Sequence, residues 1–305
     1  MSVPAAERRV LVLGSANMDL VVRQPRLPSP GETMFGESFT TVPGGKGLNQ
    51  AVAAARAGAT VAFVGAVGDD GHGRSLVALL GAEGIDTAGL ENIVGATGTA
   101  HISVLDSGEN AIVVVPGANA RLTVSHATRQ AIAASDYLVM QLEVPLSVIV
   151  EAIDAARDSA TTVVLTPAPV TLIDDNILSR VDLLVPNEHE ALQLTGAVDV
   201  VTAARDLSTR TGGAVLVTLG AEGCLLVEPG SAAERYPALR VDAVDTTAAG
   251  DTFVGALVAS LAEGTPLREA IGWATAASSV SVTRPGATSS MPYRDEIRDV
   301  HALTR

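Results

Sequence analysis

The sequence predicts an α/β protein with three layers, in which a mostly parallel central sheet carries helices on both faces and a small β-sheet lid is added. Three observations predict it. Short, continuous apolar runs recur along the 305 residues, alanine-rich stretches of helical spacing separate most of them, and two segments rich in Pro and Gly alternate instead. Continuous apolar runs suit strands buried on both faces. Their alternation with helices implies a parallel sheet.

The first run is Val10-Leu11-Val12-Leu13, ending at Gly14. Arg8 and Arg9 precede it, yet Gly14, Asn17 and Asp19 interrupt it too soon for a signal peptide, so it reads as a buried strand. Leu20 to Val42 is the first alternating segment and reads as antiparallel strands. Leu48 to Ala57 reads as a helix, Val61 to Val64 as a strand and Leu76 to Leu80 as a helix, with Asp69-Asp70 as a turn and cap before it. The second alternating segment, Thr99 to Val115, reads as a hairpin around Asp106-Ser107-Gly108. Strands follow at Tyr137–Met140, Thr162–Leu165, Leu183–Val185 and Ala214–Val217, with helices at Val148–Arg157 and Val201–Thr209 between them. The alternating segments do not fit a parallel sheet. They are assigned to a lid built from two insertions, about 17–43 and 97–116, on a single domain spanning 1–305, because no linker or repeat divides the chain.

Composition excludes several classes of partner. A formal charge of −14 argues against nucleic acid or an anionic membrane. No segment approaches the ~18–20 apolar residues of a membrane span. Cys224 is the only cysteine, so no internal disulfide is expected, and a reducing, cytoplasmic setting fits.

Polar residues gather where the strands end, which is where ligands sit in such sheets. In Asp245-Thr246-Thr247-Ala248-Ala249-Gly250-Asp251, small residues turn the chain into a helix. The N–H groups of that helix start suit a phosphate. Asp251 would sit beside the anion as a general base, or simply cap the helix. Gly14-Ser15-Ala16-Asn17-Met18-Asp19 lacks the later glycines of a dinucleotide fingerprint. Asn17 and Asp19 instead suit vicinal hydroxyls, with turn chemistry as the competing reading. Gly44-Gly45-Lys46-Gly47-Leu48-Asn49-Gln50 is no Walker loop but would cradle a polar small molecule. Glu143 follows a strand, Asn187-Glu188-His189-Glu190 opens a helix that would welcome Mg²⁺ or merely be capped, and Thr218-Leu219-Gly220-Ala221-Glu222-Gly223 offers bare backbone to a flat ring or forms a plain turn. The five histidines show no metal-ligand spacing, and Trp273 reads as a packing residue.

As a set, and in this order, these motifs resemble the ribokinase family of carbohydrate kinases. Gly117-Ala118-Asn119-Ala120, Met140-Gln141-Leu142-Glu143 and Thr166-Pro167-Ala168-Pro169 are similar to further landmarks of that family, and the resemblance runs nearly end to end. It implies a ribokinase-like fold and ATP-dependent phosphorylation of D-ribose at O5, with Mg²⁺ and an activating K⁺. By the same resemblance Asp251 is the base, and Ala248, Ala249 and Gly250 form the anion hole. Asn17, Asp19, Gly45, Lys46, Asn49 and Glu143 hold the sugar, with Ala100 and Ile112 of the lid covering it. Asn187, Thr218, Gly220, Gly223, Gly250 and Thr275 line the nucleotide site, and Glu190 organises Mg²⁺. Asp245, Thr247, Ser281, Arg284, Gly286 and Ser290 enclose K⁺. A homodimer is expected through the lids, whose pairing would hide exposed strand edges. The chain departs from the family pattern at Ala248, where Gly is usual, and at Leu48 and Met18, which would alter pocket shape. A kinase for 2-deoxyribose, another small sugar or a nucleoside is the alternative, as is a sugar-binding regulator without catalysis. The 3% aromatic content disfavours a nucleoside, and the intact Asp251, Lys46 and Glu190 disfavour the regulator.

Overall fold

The apolar runs become a nine-stranded sheet in the computed structural model, which describes residues 9–107 and 109–303. Arg8 and the hairpin's Gly108 lie outside the described residues. In chain order the elements are β1 (Arg9–Leu13), β2 (Asn17–Gln24), β3 (Ser38–Gly44), α1 (Lys46–Arg56), β4 (Thr60–Gly68), α2 (Gly71–Ala82), β5 (Asp86–Ile93), β6 (Gly98–Leu105) and β7 (Asn110–Val115). Next come α3 (His126–Ala133), β8 (Tyr137–Met140), α4 (Leu146–Ser159), β9 (Thr162–Leu165), α5 (Asp175–Leu178), β10 (Leu183–Leu184), α6 (Glu188–Thr195), α7 (Val200–Thr211) and β11 (Ala214–Thr218). The chain finishes with β12 (Cys224–Val227), β13 (Glu234–Tyr236), α8 (Ala249–Ala262), α9 (Leu267–Ser281) and α10 (Arg294–Ala302).

The large sheet runs β13-β12-β11-β10-β9-β8-β1-β4-β5. It is parallel from β11 to β5, and β12 and β13 add an antiparallel edge. Side chains of successive strand residues point to opposite faces. Val10 and Val12 therefore pack with α1, α2, α8, α9 and α10, whereas Leu11 and Leu13 pack with α3, α4, α5, α6 and α7. This is why the strands carry unbroken apolar runs rather than alternation.

The two alternating segments form a separate four-stranded sheet, β3-β2-β6-β7. Its hairpins are antiparallel, β2 with β3 and β6 with β7, but the pairing that joins them, β2 with β6, is parallel. The sequence reading took every strand there as antiparallel, because period-2 alternation reports a one-sided sheet and not strand direction. Asp70, the cap of α2, fastens the root of this lid, accepting from Gly73 N (2.8 Å), Thr97 N (2.9 Å) and Thr97 Oγ1 (2.6 Å).

Helices α1 and α8 cross in close contact at Gly255. A Cβ there would lie 2.5 Å from Ala53 Cβ and 2.7 Å from both Ala54 N and Gln50 O. Gly255→Ala is expected to destabilise the fold by about 1–3 kcal/mol through overpacking, less what alanine returns in helix propensity. Urea unfolding with an unchanged m-value but an earlier midpoint would register it, and an unmoved midpoint would refute the tight crossing.

Candidate active site

The site lies at the carboxyl ends of β1, β8, β10 and β11, where the chain leaves each strand with a polar turn. After β1, Ser15 and Ala16 lead straight into β2, so Asn17 and Asp19 stand where lid meets sheet. Asp19 pairs in register with Val42 on one side and Ala100 on the other, which puts Asp19 and Ala100 on one face of the lid. Ile112, opposite Ile102 one pair further on, shares that face but is 53% exposed, whereas Ala100 is buried. Asn119 Nδ2 donates to Asn17 Oδ1 (2.7 Å), which leaves the Asn17 NH₂ as its group for a ligand.

The glycine-rich loop turns at Gly45, whose φ of +89° and approach to Asn17 N suit only glycine. Helix α1 then starts at Lys46, with Asn49 and Gln50 one turn in. Glu143 steadies this start, its Oε2 accepting from Ser15 Oγ (2.5 Å) and Lys46 N (3.0 Å). Lys46 is the single lysine of the chain.

Asp251 is buried in the first turn of α8. Its Oδ2 accepts from Asn49 Nδ2 (3.1 Å) and its Oδ1 from Gln50 Nε2 (3.0 Å). Burial pushes its carboxyl above the ordinary range, and Lys46, Gln50 and Asn49 pull against that. Burial also pulls the Lys46 ammonium down, but Asp251, Glu143 and Glu190 outweigh it and hold the amine protonated. Ala248 caps α8 with φ +55°, a left-handed conformation that costs alanine about 1 kcal/mol. Its carbonyl accepts from Thr252 N (2.8 Å), and Ala249 N donates to Thr246 O (3.2 Å). The N–H groups of Gly250 and Asp251 remain at this helix start without an intrahelical acceptor.

Asn187 and Thr218 form a bridge between the ends of β10 and β11. Asn187 caps α6 and Glu190 completes a capping box, each bonding the other's backbone N–H at 2.8 Å. Capping and a ligand role are compatible here, because Asn187 keeps its NH₂ and Glu190 its Oε1. Burial raises the Glu190 carboxyl above its ordinary range. Among the described residues no cluster of three or more His, Cys, Asp or Glu side chains suits a metal on its own. Gly220 and Gly223 form the turn after β11. Thr275 is buried on α9, its hydroxyl donating to Ile271 O (2.8 Å).

Asp245 stitches two loops together. Its Oδ1 accepts from Thr247 N (2.9 Å) and Thr247 Oγ1 (2.6 Å), and its Oδ2 from Gly286 N (2.8 Å), while Val282 O accepts from Val244 N (2.7 Å) and Asp245 N (3.1 Å). Ser281 and Ser290 are buried, and Arg284 pairs with Glu296. Arg56, the last residue of α1, fixes the second loop from below. It donates to Thr288 O (2.6 Å) and Met291 O (2.9 Å), is held by Glu83, and lies 4.7 Å above the Tyr293 ring.

Residues 7–294 match the pfkB family of carbohydrate kinases. The chain belongs to that family. Among pfkB carbohydrate kinases it is similar to the ribokinase of Haemophilus influenzae, 42% identical over 300 residues, covering 95% of this chain and 97% of that one. Its fold is similar to the crystal structure of a ribokinase from Thermotoga maritima (TM-score 0.90, 35% identity, 98% of this chain and 100% of that chain). It is also similar to an Arabidopsis thaliana ribokinase complexed with ribose and ATP (TM-score 0.91, 31% identity, 97% of this chain and 99% of that chain).

Sequence reasoning missed Ser15, Gln50, Asn119, Gln141 and Thr166 as parts of this site. Polar residues next to apolar strand ends were the available signal. Met18 and Leu48, the two departures expected to alter pocket shape, are packed in the core at 4% and 0% exposure.

Burial, and then the charges of Glu143 and Asp251, push the Asp19 carboxyl up to about 7 from 3.8. The folded state therefore binds a proton that the unfolded chain releases, and this costs stability as pH rises from about 4 through 7. Asp19→Asn without ligand is expected to match wild type near pH 4 and to melt roughly 2–5 °C higher at pH 8. Parallel melting curves at the two pH values would contradict this burial of charge.

Proposed function

We propose that this chain is an ATP-dependent kinase that phosphorylates D-ribose at O5, giving ribose 5-phosphate and ADP. The observation that carries the reading is Asp251, buried at the head of α8, bonded by Asn49 and Gln50 and near enough to Asp19, Lys46 and Glu190 for their charges to act on one another. In the proposed reaction the Asp251 carboxylate takes the proton of the primary hydroxyl as that oxygen forms its bond to the γ-phosphorus, and the bond to the β,γ-bridging oxygen breaks to release ADP. The Gly250 and Asp251 N–H groups, with Ala248 and Ala249 shaping the turn, neutralise the travelling phosphoryl group. Lys46, held protonated, balances the carboxylates around the sugar. Gly45, Lys46, Asn49 and Glu143 complete the sugar site under Ala100 and Ile112, and Gly220, Gly223 and Thr275 border the nucleotide.

Mg²⁺ would be held mainly through phosphates and water, with Glu190 as the protein's carboxylate, and would neutralise charge on the phosphates. K⁺ would sit between the loops that Asp245 ties together, among oxygens of Asp245, Thr247, Ser281, Arg284, Gly286 and Ser290. One carboxylate among backbone carbonyls is a donor set suited to a large monovalent ion. The exposed apolar face of the lid, including Phe39 (61%) and Val113 (65%), supports a homodimer formed there. A cytoplasmic location agrees with the need for ATP and with the lone, buried Cys224.

Coupled ADP release should be fastest with ribose among ribose, 2-deoxyribose, fructose, fructose 6-phosphate and adenosine, and a different winner would reassign the substrate. Asp251→Ala is expected to lower kcat by about 10²–10⁴-fold while ribose Kd changes little. Near-normal turnover would remove it as the base. Replacing sodium with potassium should raise kcat, and equal rates would reject the cation site.

A further inference from the structure

A run of buried amides behind Asp251 takes no part in the chemistry set out above. Gln50 and Gln141 are both at most 1% exposed, and Thr166 lies beside them. Gln141 Nε2 donates to Gln50 Oε1 at 2.6 Å. That bond fixes which end of the Gln50 amide points where, so its Nε2 is turned to Asp251 Oδ1 at 3.0 Å, with Thr166 Oγ1 as a second contact at 3.4 Å. Gln141 is in turn confined by Gly14, where a Cβ would fall 2.1 Å from Gln141 Oε1. The chain thus runs from the end of β1, through β8 and α1, to the carboxylate at the head of α8.

We propose that Gln50, oriented by Gln141, is a positioning residue that presents the Asp251 carboxylate to the sugar hydroxyl and sets the pH above which it accepts a proton. The proposal rests on the reading of Asp251 as the base. A carboxylate buried this deeply favours its neutral, acidic form. An N–H that can only donate reverses part of that preference, because it bonds the ionised form and not the proton of the acid. Asn49 does the same at Oδ2, but its own carbonyl has no partner among the described residues, so nothing locks its orientation. Gln50 has both ends of its amide bonded, Oε1 by Gln141 and Nε2 to Asp251, while Gln141 Oε1 has no partner among the described residues and is confined by Gly14 instead. Buried amide chains strengthen one another in a low dielectric. The charged groups that face Asp251 are Lys46 from α1, Asp19 from β2, Glu143 after β8 and Glu190 from α6. None of them lies in the amide chain, so its contribution can be removed with that charge set intact.

The test compares single-turnover phosphoryl transfer, at saturating ribose and ATP, across pH for wild type, Gln50→Met, Gln141→Met and the double variant. Methionine keeps the shape and deletes the N–H. The double variant leaves no amide orphaned within the pair, which guards against a fold lost to one unpaired group. For Gln50→Met the acid limb of the rate is expected to move up by about one pH unit, with the rate near pH 6 down roughly tenfold and the gap narrowing near pH 9. Gln141→Met should move it the same way by less, and the double variant should match Gln50→Met. Ribose Kd should stay within about twofold throughout. A structural role alone would lower the melting temperature and leave the limb in place. Limbs that coincide in any folded variant lacking the Gln50 amide overturn the proposal. Asp251→Ala is run beside them: if it is inactive and the limbs coincide, only the amide chain fails, and if it turns over normally, the base assignment fails too.

Discussion

Helices α1 and α8 meet backbone to backbone at Gly255, and the positions of the chemical groups follow from that contact. Helix α1 carries Lys46, Asn49 and Gln50 in its first turns, and α8 carries Asp251 in its own. Gly255 lies one turn after Asp251, and a Cβ there would run into Ala53 Cβ and the α1 backbone at Gln50 and Ala54. With the axes this close, short amide side chains reach the carboxylate directly. A larger residue at the crossing would separate two helix starts that belong to distant parts of the sequence. The far end of α1 extends the same logic, because Arg56 binds the loop that Asp245 joins to the α8 approach. One helix therefore spans from the glycine-rich loop at Gly45 to the loop that Arg56 binds.

The site concentrates like charge. Glu143, Glu190 and Asp251 act on one ammonium, Asp19 lies near Glu143 and Asp251, and burial raises the cost of ionising Asp19, Glu190 and Asp251. Such an arrangement is poorly satisfied alone, and in the proposed reaction it would be completed by hydroxyl donors and by cations arriving with the nucleotide. Strain of this sort is tolerated at sites that bind and not at sites that only hold a fold together.

Much of the fold was legible in the sequence because buried parallel strands leave unbroken apolar runs, as Val10–Leu13 and Thr162–Leu165 do. Strands β5 and β13 escaped notice, since they lie at the sheet edges, where one partner strand is missing and the pattern weakens, and the four-residue β12 between β11 and β13 escaped with them. The parallel pairing of β2 with β6 was equally hidden, because direction is set by tertiary docking and not by alternation. In the site, residues displayed at strand ends were readable: Asn17, Asp19, Glu143, Asn187 and Thr218. Those that act from behind were not. Asn119 and Gln141 show their purpose only through partners more than 90 positions away. No local pattern encodes such a contact.

A chain with nineteen arginines and one lysine has a practical property. Apart from the N-terminus, its only primary amine is Lys46, sheltered among the carboxylates of the cleft. Reagents that acylate or alkylate amines, which mark most proteins all over their surface, would here mark one side chain besides the N-terminus. Their progress would become a gauge of how open the cleft is, with the arginine-covered exterior left untouched.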